Sequence, residues 1–484
     1  MADINVKKET IRSTKWSATG QYFNTIVSFI IGIVLARLLS PSDYGIVGMI
    51  SIFFAIAGII ADSGFGLALI RKNDATEEDF STVFYFNFAV SFLCYIILFI
   101  CSPLIADFFN QPVLKILVRI SALSLVIGSL GSIQYTILTK NLNFKRPAVI
   151  SIISNVLSGC VGIGYAYFGY GVWALVAQSL SRTIISVISV WILSTWHPKF
   201  IFSIKSFREL FKVGGNLLAS SILTSVYAHF IPLLIGKFYS PSSLGYYSKG
   251  QRISLLPSDA IYGVVGKVTM PILSKIQDDD ERLIHVYNKY IKVFSLIIFF
   301  VMFLLAALAK PFVILIYSEK WLASASYISI FCLGYMFSHV SKININLLMV
   351  KGRTDLCLRI EIIKKTIWTC GLLIALPFSV MAVCIMTTIL IQASLFINTY
   401  YTKKILGFGY SEQWKVFLPY LILSGLCCIP AFTITLLNIH CLLQIIIGGT
   451  ISTTLYLGYL WIHKDANFIE LINLTPLRKY LNAQ

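Results

Sequence analysis

The chain has 484 residues, of which 57% are hydrophobic and only 12% charged, and its mean hydropathy is +0.80. Soluble proteins carry about 25% charged residues, so the composition excludes a soluble globular enzyme. The net charge of +18 comes without a soluble basic domain, which argues against nucleic acid as a partner and fits the lysine and arginine excess in the cytoplasmic loops of a many-spanning membrane protein.

Apolar runs long enough to cross a hydrocarbon core recur along the whole chain. They are continuous and rich in Leu, Ile and Val, which predicts an all-α polytopic membrane protein rather than a barrel of short alternating strands. A polar stretch over 1–15 precedes a full-length first span, so an uncleaved first helix is expected rather than a signal peptide. Reading between polar breaks gives about fourteen spans. The first six lie near 17–38, 44–61, 81–106, 113–138, 148–168 and 172–194. Six more lie near 209–235, 244–274, 290–317, 323–350, 356–376 and 380–402, and two follow near 415–437 and 441–463. With both termini cytoplasmic, about 25 of the 39 basic residues fall in inside segments and about four in outside loops. The outside loops are short, and 169–171 and 377–379 are little more than turns.

The chain repeats itself. ARLLSPSDYG at 36–45 returns as GKFYSPSSLG at 236–245, each between the first and second helix of a six-helix half. In each copy Pro after Ser stops one helix, and polar residues cap the next. This divides the chain into an N-terminal six-helix bundle (1–195), a C-terminal six-helix bundle (196–405) and two further spans with a cytoplasmic tail (406–484). Two parallel bundles related by an axis along the membrane normal form a common transporter plan.

A charge held at mid-membrane costs at least about 2.5–3.5 kcal/mol unless it meets a partner, water or a ligand. The eighth span is the most informative. Lys249, Arg252, Leu256, Asp259, Gly263 and Lys267 follow steps of three and four, which put them on one helical face. Pro257 lies within that stripe. Further intramembrane cations are Arg119, Arg182 (one turn after Gln178) and Lys342, which shares a face with His339 and Asn346. Gln21, Asn24 and Ser28 line one side of the first span, and Asn216, Ser220 and Thr224 one side of the seventh, as polar cavity walls should. Arg119, Arg182, Lys249, Arg252, Lys267 and Lys342 against the single clear mid-span anion Asp259 point to a water-filled vestibule for an anionic group. Phosphate or diphosphate fits, because Arg and Lys bind phosphoryl oxygens through charge-assisted hydrogen bonds. Asp259 is read as an ion-pair partner or a group that takes up a coupling proton or sodium ion, and His339 is placed in the same class. The ten cysteines include no CxxC and no metal spacing, so no metal site is expected. No phosphate-binding loop, HExxH or nucleophile elbow is present, so neither enzyme chemistry nor a bound cofactor is expected.

Six segments in order resemble Wzx-type polysaccharide exporters of the multidrug/oligosaccharidyl-lipid/polysaccharide flippase superfamily, in its colanic-acid and teichuronic-acid exporter branch. They are ARLLSPSDYG (36–45), DSGFGLALIRK (62–72), LTKNLNFKR (138–146), GYGVWALVAQ (169–178), the stretch LGYYSKGQRISLLPSD to MPILSKIQ (244–277) and KGRTD (351–355). The resemblance implies two six-helix bundles around a V-shaped cavity in a bacterial inner membrane. It implies an undecaprenyl-diphosphate-linked oligosaccharide as substrate, moved by cation-coupled alternating access for surface polysaccharide assembly, alongside polysaccharide polymerase and chain-length machinery. The alternative is a cation-coupled multidrug exporter of the same superfamily, whose cavity should favour carboxylates or aromatics. The second span is apolar where the eighth is charged, so an anion site is expected to lean toward the C-terminal bundle.

Overall fold

The computed structural model describes residues 2–473, with side chains from Gly20 onward except at positions 213, 216, 217, 262, 264, 266–268 and 354. Among the described residues the regular elements are all helices. In order the helices are α1 (Ala2–Leu38), α2 (Pro41–Asp62), α3 (Phe65–Arg71), α4 (Glu77–Phe109), α5 (Val113–Lys140), α6 (Lys145–Tyr167), α7 (Val172–Leu193) and α8 (Ile204–Phe238). They continue with α9 (Pro241–Lys275), α10 (Asp280–Ala307), α11 (Ala309–Tyr317), α12 (Ala323–Tyr335), α13 (Ser338–Val350), α14 (Thr354–Ala375), α15 (Val380–Leu406), α16 (Tyr410–Ile434), α17 (Cys441–Ile462) and α18 (Ala466–Asn473).

Among the described residues, 11 helical segments are long and apolar enough to cross a membrane. The other three expected spans fall on α9, on the α12–α13 pair and on α14. Charges lower the apolarity of α9 and α14, and the break at Met336 and Phe337 leaves α12 and α13 at 13 residues each, too short to qualify. Large apolar side chains such as Ile100, Leu104, Ile192, Phe378 and Ile462 are exposed, as surfaces in contact with lipid tails should be.

The local chemistry explains the helix ends. The hydroxyl of Ser40 accepts from the Asp43 N–H at 3.3 Å, the Asp43 carboxylate accepts from the Ser40 N–H at 2.8 Å, and Pro41 takes the first helical position. This reciprocal cap satisfies two orphan donors of α2. α9 begins the same way, with Ser240 Oγ accepting from Ser243 N at 3.2 Å. α4 repeats the device with Thr76 and Asp79. α2 stops where Ser63 and Gly64 take left-handed φ values of 49° and 71°, and the short α3 follows beyond the expected second span (44–61).

The structure forms two compact units, Met1–Gly245 and Tyr246–Gln484. The first holds α1 to α8, because α8 packs on α2, α3 and α4. Within it the two repeated turns meet. A Cβ on Gly45 would lie 1.7 Å from the Pro241 carbonyl oxygen, and one on Gly245 would lie 1.9 Å from that of Pro41. Only glycine permits this reciprocal backbone approach, the membrane pattern in which small residues let helices close. In the second unit α16 packs on α10 and α17, and α15 on α12, α13 and α14.

Candidate functional site

α9 divides into two sides. Gly250, Ser254, Ser258, Val265, Thr269 and Leu273 are buried. The packed side is pinned by polar contacts: Ser254 Oγ donates to Ile328 O at 3.2 Å, Ser258 Oγ to Tyr335 O at 3.4 Å, and Asn346 Nδ2 to Thr269 Oγ1 at 2.8 Å. The charged stripe lies on the opposite side. Arg252 and Asp259 are exposed, and Lys249 and Leu256 are half-buried. The helix runs on unbroken through Pro257 and Pro271.

Lys249 sits over aromatic faces, its ammonium 4.3 Å from the Tyr317 ring centre and 5.5 Å from that of Trp321. Ring quadrupoles hold a cation without neutralising it. Among the described residues no salt bridge joins Arg252 to Asp259 or to any other carboxylate. The Arg252 guanidinium stands on the open side of α9, with the Asp259 carboxylate on the same side near enough to interact with it electrostatically. The side chains of Lys267 and Asn216 lie outside the described residues.

The other candidates are spread out. Arg119 is half-buried and folds onto α4, with Nε donating to Ser102 Oγ at 2.8 Å and the guanidinium 4.2 Å from the Phe99 ring centre. Arg182 is exposed on α7, and Lys342 is half-buried on α13. His339 is buried, with Nε2 2.8 Å from Ser295 Oγ and Nδ1 2.9 Å from Met336 O. Both of its ring nitrogens thus serve helix packing. Gln21 is exposed and Asn24 half-buried, and both line a cavity of about 170 Å³ between α1 and α6. The same stripe also glues helices: Asn24 Nδ2 donates to Ser151 Oγ at 3.0 Å, and Asn155 Nδ2 donates to Asn24 Oδ1 at 2.8 Å and to Ser28 Oγ at 2.7 Å. Thr224 is exposed, its hydroxyl donating to Ser220 O at 2.9 Å.

Sequence reading missed a buried amide cluster. Asn344 and Gln413 exchange hydrogen bonds at 2.9 and 3.0 Å, and Thr402 Oγ1 donates to Asn344 Oδ1 at 2.7 Å, which ties α13, α15 and α16. Each residue looks ordinary in its own helix, and only the packing joins them. At the start of α14, the N-cap Arg353 binds Asp355 of the first turn through two hydrogen bonds of 2.9 and 2.8 Å. These bonds hold the Asp355 carboxyl down at about 2, so the pair stays charged at neutral pH.

The profile of the polysaccharide biosynthesis protein family matches residues 34–326, more than half of the chain. The chain belongs to this family. It is 27% identical over 360 residues to the teichuronic acid biosynthesis protein TuaB of Bacillus subtilis, covering 73% of each chain. It is 22% identical over 433 residues to the lipopolysaccharide biosynthesis protein WzxC of Escherichia coli, covering 87% of this chain and 88% of the relative. Among solved structures it resembles the lipid II flippase MurJ in an inward closed conformation, with TM-score 0.73, 18% identity and coverage of 93% of this chain and 99% of the other. An inward-facing multidrug resistance transporter of the MATE family follows at TM-score 0.61 and 16% identity, covering 79% of this chain and 94% of the other. This member of the polysaccharide biosynthesis family therefore has the fold of those two structures, and the region matched by the family profile includes α9 and the cationic stripe.

Proposed function

We propose that this chain flips an undecaprenyl-diphosphate-linked oligosaccharide across a bacterial inner membrane by alternating access, supplying surface polysaccharide assembly. It is a transporter and carries out no chemistry on its cargo. The observation that carries the reading is Arg252, exposed on α9 and without a salt bridge among the described residues. A guanidinium kept at membrane depth costs at least about 2.5–3.5 kcal/mol, and Asp259, near enough to interact with Arg252 but not bridged to it, offsets that only in part. A diphosphate arriving beside it offsets that cost through paired, charge-assisted hydrogen bonds. Lys249, held over Tyr317 and Trp321 one turn away, adds a second positive charge of the same stripe. Lys267 completes the stripe by spacing, while Arg119, Arg182 and Lys342 supply positive field on other helices.

The lysine and arginine bias of the loops supports both termini on the cytoplasmic side. Polysaccharide polymerase and chain-length machinery are the proposed partners, and a proton or sodium gradient the proposed energy source. The multidrug reading has a fold relative in its favour, but a cavity for cationic drugs should present acids, and the stripe on α9 sets Lys249, Arg252 and Lys267 against the single acid Asp259.

Deletion of the gene in its host, followed by lipid extraction, tests the cargo. Accumulation of a diphosphate-linked oligosaccharide with loss of surface polysaccharide is the expected result. Unchanged lipid with altered drug tolerance supports the multidrug exporter instead.

A further inference from the structure

In the second unit α10, α16 and α17 enclose a cavity of about 380 Å³, at the end where α10 and α16 begin and α17 stops. Lys292 lines it from α10, Lys415 and Tyr420 from α16, Tyr459 from the last turn of α17, and His463 and Asp465 from the turn that follows. Among the described residues neither lysine makes a salt bridge. The acids at hand are already engaged. Asp465 accepts from the Tyr420 hydroxyl at 2.8 Å and from the Phe468 N–H at 2.9 Å, which caps α18. Asn467 Nδ2 donates to the same Tyr420 hydroxyl at 2.9 Å. Glu470, on α18, pairs with Lys289 of α10 at 2.7 Å. Two ammonium groups against one carboxylate leave the lining with one net positive charge when His463 is neutral.

The rest of the lining is apolar and comes from Val416, Pro419, Leu423 and Leu460. On the same two helices Ile422, Trp461 and Ile462 are exposed, as residues facing lipid tails should be. Tyr459 stacks on His463 with ring centres 4.0 Å apart, the kind of amphipathic ring found at the level of lipid headgroups. The lysine and arginine bias of the loops assigns this end to the cytoplasmic side. Basic pockets between membrane helices on that side take the headgroups of anionic lipids.

We propose that this cavity seats the headgroup of an anionic phospholipid, with Lys292 and Lys415 on its phosphoryl oxygens and its acyl chains along the exposed apolar residues of α16 and α17. Lysine suits this role as a point charge for phosphate. One net positive charge balances the single negative charge of a phosphodiester such as phosphatidylglycerol. A zwitterionic lipid would bring an ammonium of its own into a positive hollow, and a diphosphate would bring more negative charge than the hollow answers. A volume of about 380 Å³ falls within the roughly 300–1,000 Å³ of small-molecule sites. The site shares no lining residue with α9 and does not depend on the identity of the cargo.

The test uses the purified full-length protein, depleted of lipid, in a neutral detergent. Binding and thermal unfolding are measured with phosphatidylglycerol, phosphatidylcholine, inorganic phosphate and a polyprenyl diphosphate. Saturable binding of phosphatidylglycerol, with stabilisation that phosphatidylcholine and inorganic phosphate do not give, is expected for the wild type. Lys292→Gln and Lys415→Gln should each weaken that binding about fivefold, and the double variant about thirtyfold. Lys404→Gln, an exposed change outside the lining, should leave it unchanged. Equal binding of phosphatidylcholine, equal stabilisation by inorganic phosphate, or undiminished phosphatidylglycerol binding in the double variant overturns the proposal. Tighter binding of the polyprenyl diphosphate, lost in the double variant, marks a cargo site and overturns it as well. Should the double variant fail to fold, wild-type affinity in both single variants overturns it equally.

Discussion

Both α2 and α9 begin at a Ser-Pro turn, with a serine oxygen capping the third helical residue and a glycine pressed against the proline carbonyl of the other turn. Beyond that shared first turn they part. α2 stays apolar as far as Asp62, then breaks at two left-handed residues. α9 runs unbroken for 35 residues, pins one side to the second unit through Ser254, Ser258 and Thr269, and carries Arg252 on the other. A repeated backbone frame thus carries different side chains: an apolar run ending at Asp62 on one helix, and Lys249, Arg252 and Asp259 along the other. Backbone repetition sets where a helix starts, and the side chains placed on it set the charge it attracts.

The shared part of the comparison breaks most severely at the glycines. Gly45→Val or Gly245→Val drives a side chain into backbone that no rotamer change relieves. The cost should exceed the roughly 1–3 kcal/mol of ordinary overpacking. Membrane abundance and size-exclusion profiles should show loss of folded protein in both variants, and normal yield in either would mean that the two turns do not need each other.

The next effect separates the two sides of α9. Arg252→Ala should cut polysaccharide export by about tenfold to a hundredfold, the worth of a charged hydrogen bond of roughly 1.5–3 kcal/mol, while leaving the unfolding temperature unchanged. Arg252→Lys should restore part of the export, since charge survives and the paired geometry does not. Thr269→Val on the packed side should do the reverse. It leaves the buried Asn346 amide without its partner, which costs about 1–3 kcal/mol of stability while export per folded molecule holds. A variant pair in which both changes fall equally on stability would erase the distinction between the sides.

Smaller effects distinguish the first helix of each half. Asn24→Leu removes the contacts to Ser151 and Asn155 and should cost about 0.6–1.7 kcal/mol, the range for hydrogen bonds between membrane helices. Thr224→Ala removes a bond within its own exposed turn and should stay within about 0.5 kcal/mol. Paired thermal unfolding curves check both.

Much of this was legible in the sequence because the membrane leaves few choices. Apolar runs must be helices, and the Ser-Pro-Ser turns at 40–42 and 240–242 announce their own caps. The stripe on α9 was readable because steps of three and four fix a side of a helix without any tertiary knowledge. What stayed hidden depends on neighbours. The short helix α3 after Asp62 lies beyond the span expected at 44–61, and the left-handed backbone at Ser63 that sets it apart leaves no mark in hydropathy. Asn344, Gln413 and Thr402 come together from three helices, so no spacing rule links them. His339 reads as a functional group on its own face, and only the packing reveals Ser295 and the Met336 carbonyl at its two nitrogens. Asn24 reads as cavity lining, and the structure gives it a second role as a bridge to α6.

The central claim is that the positive charge of α9 recognises the diphosphate of the cargo. The most direct measurement compares two oligosaccharide-bearing polyprenyl lipids in proteoliposomes, one with the diphosphate and one with a neutral linkage, for wild type and Arg252→Ala. Wild type should move the diphosphate form far faster than the neutral one, and Arg252→Ala should lose most of that preference. Equal movement of both lipids by wild type, or an undiminished preference in Arg252→Ala, would contradict the account.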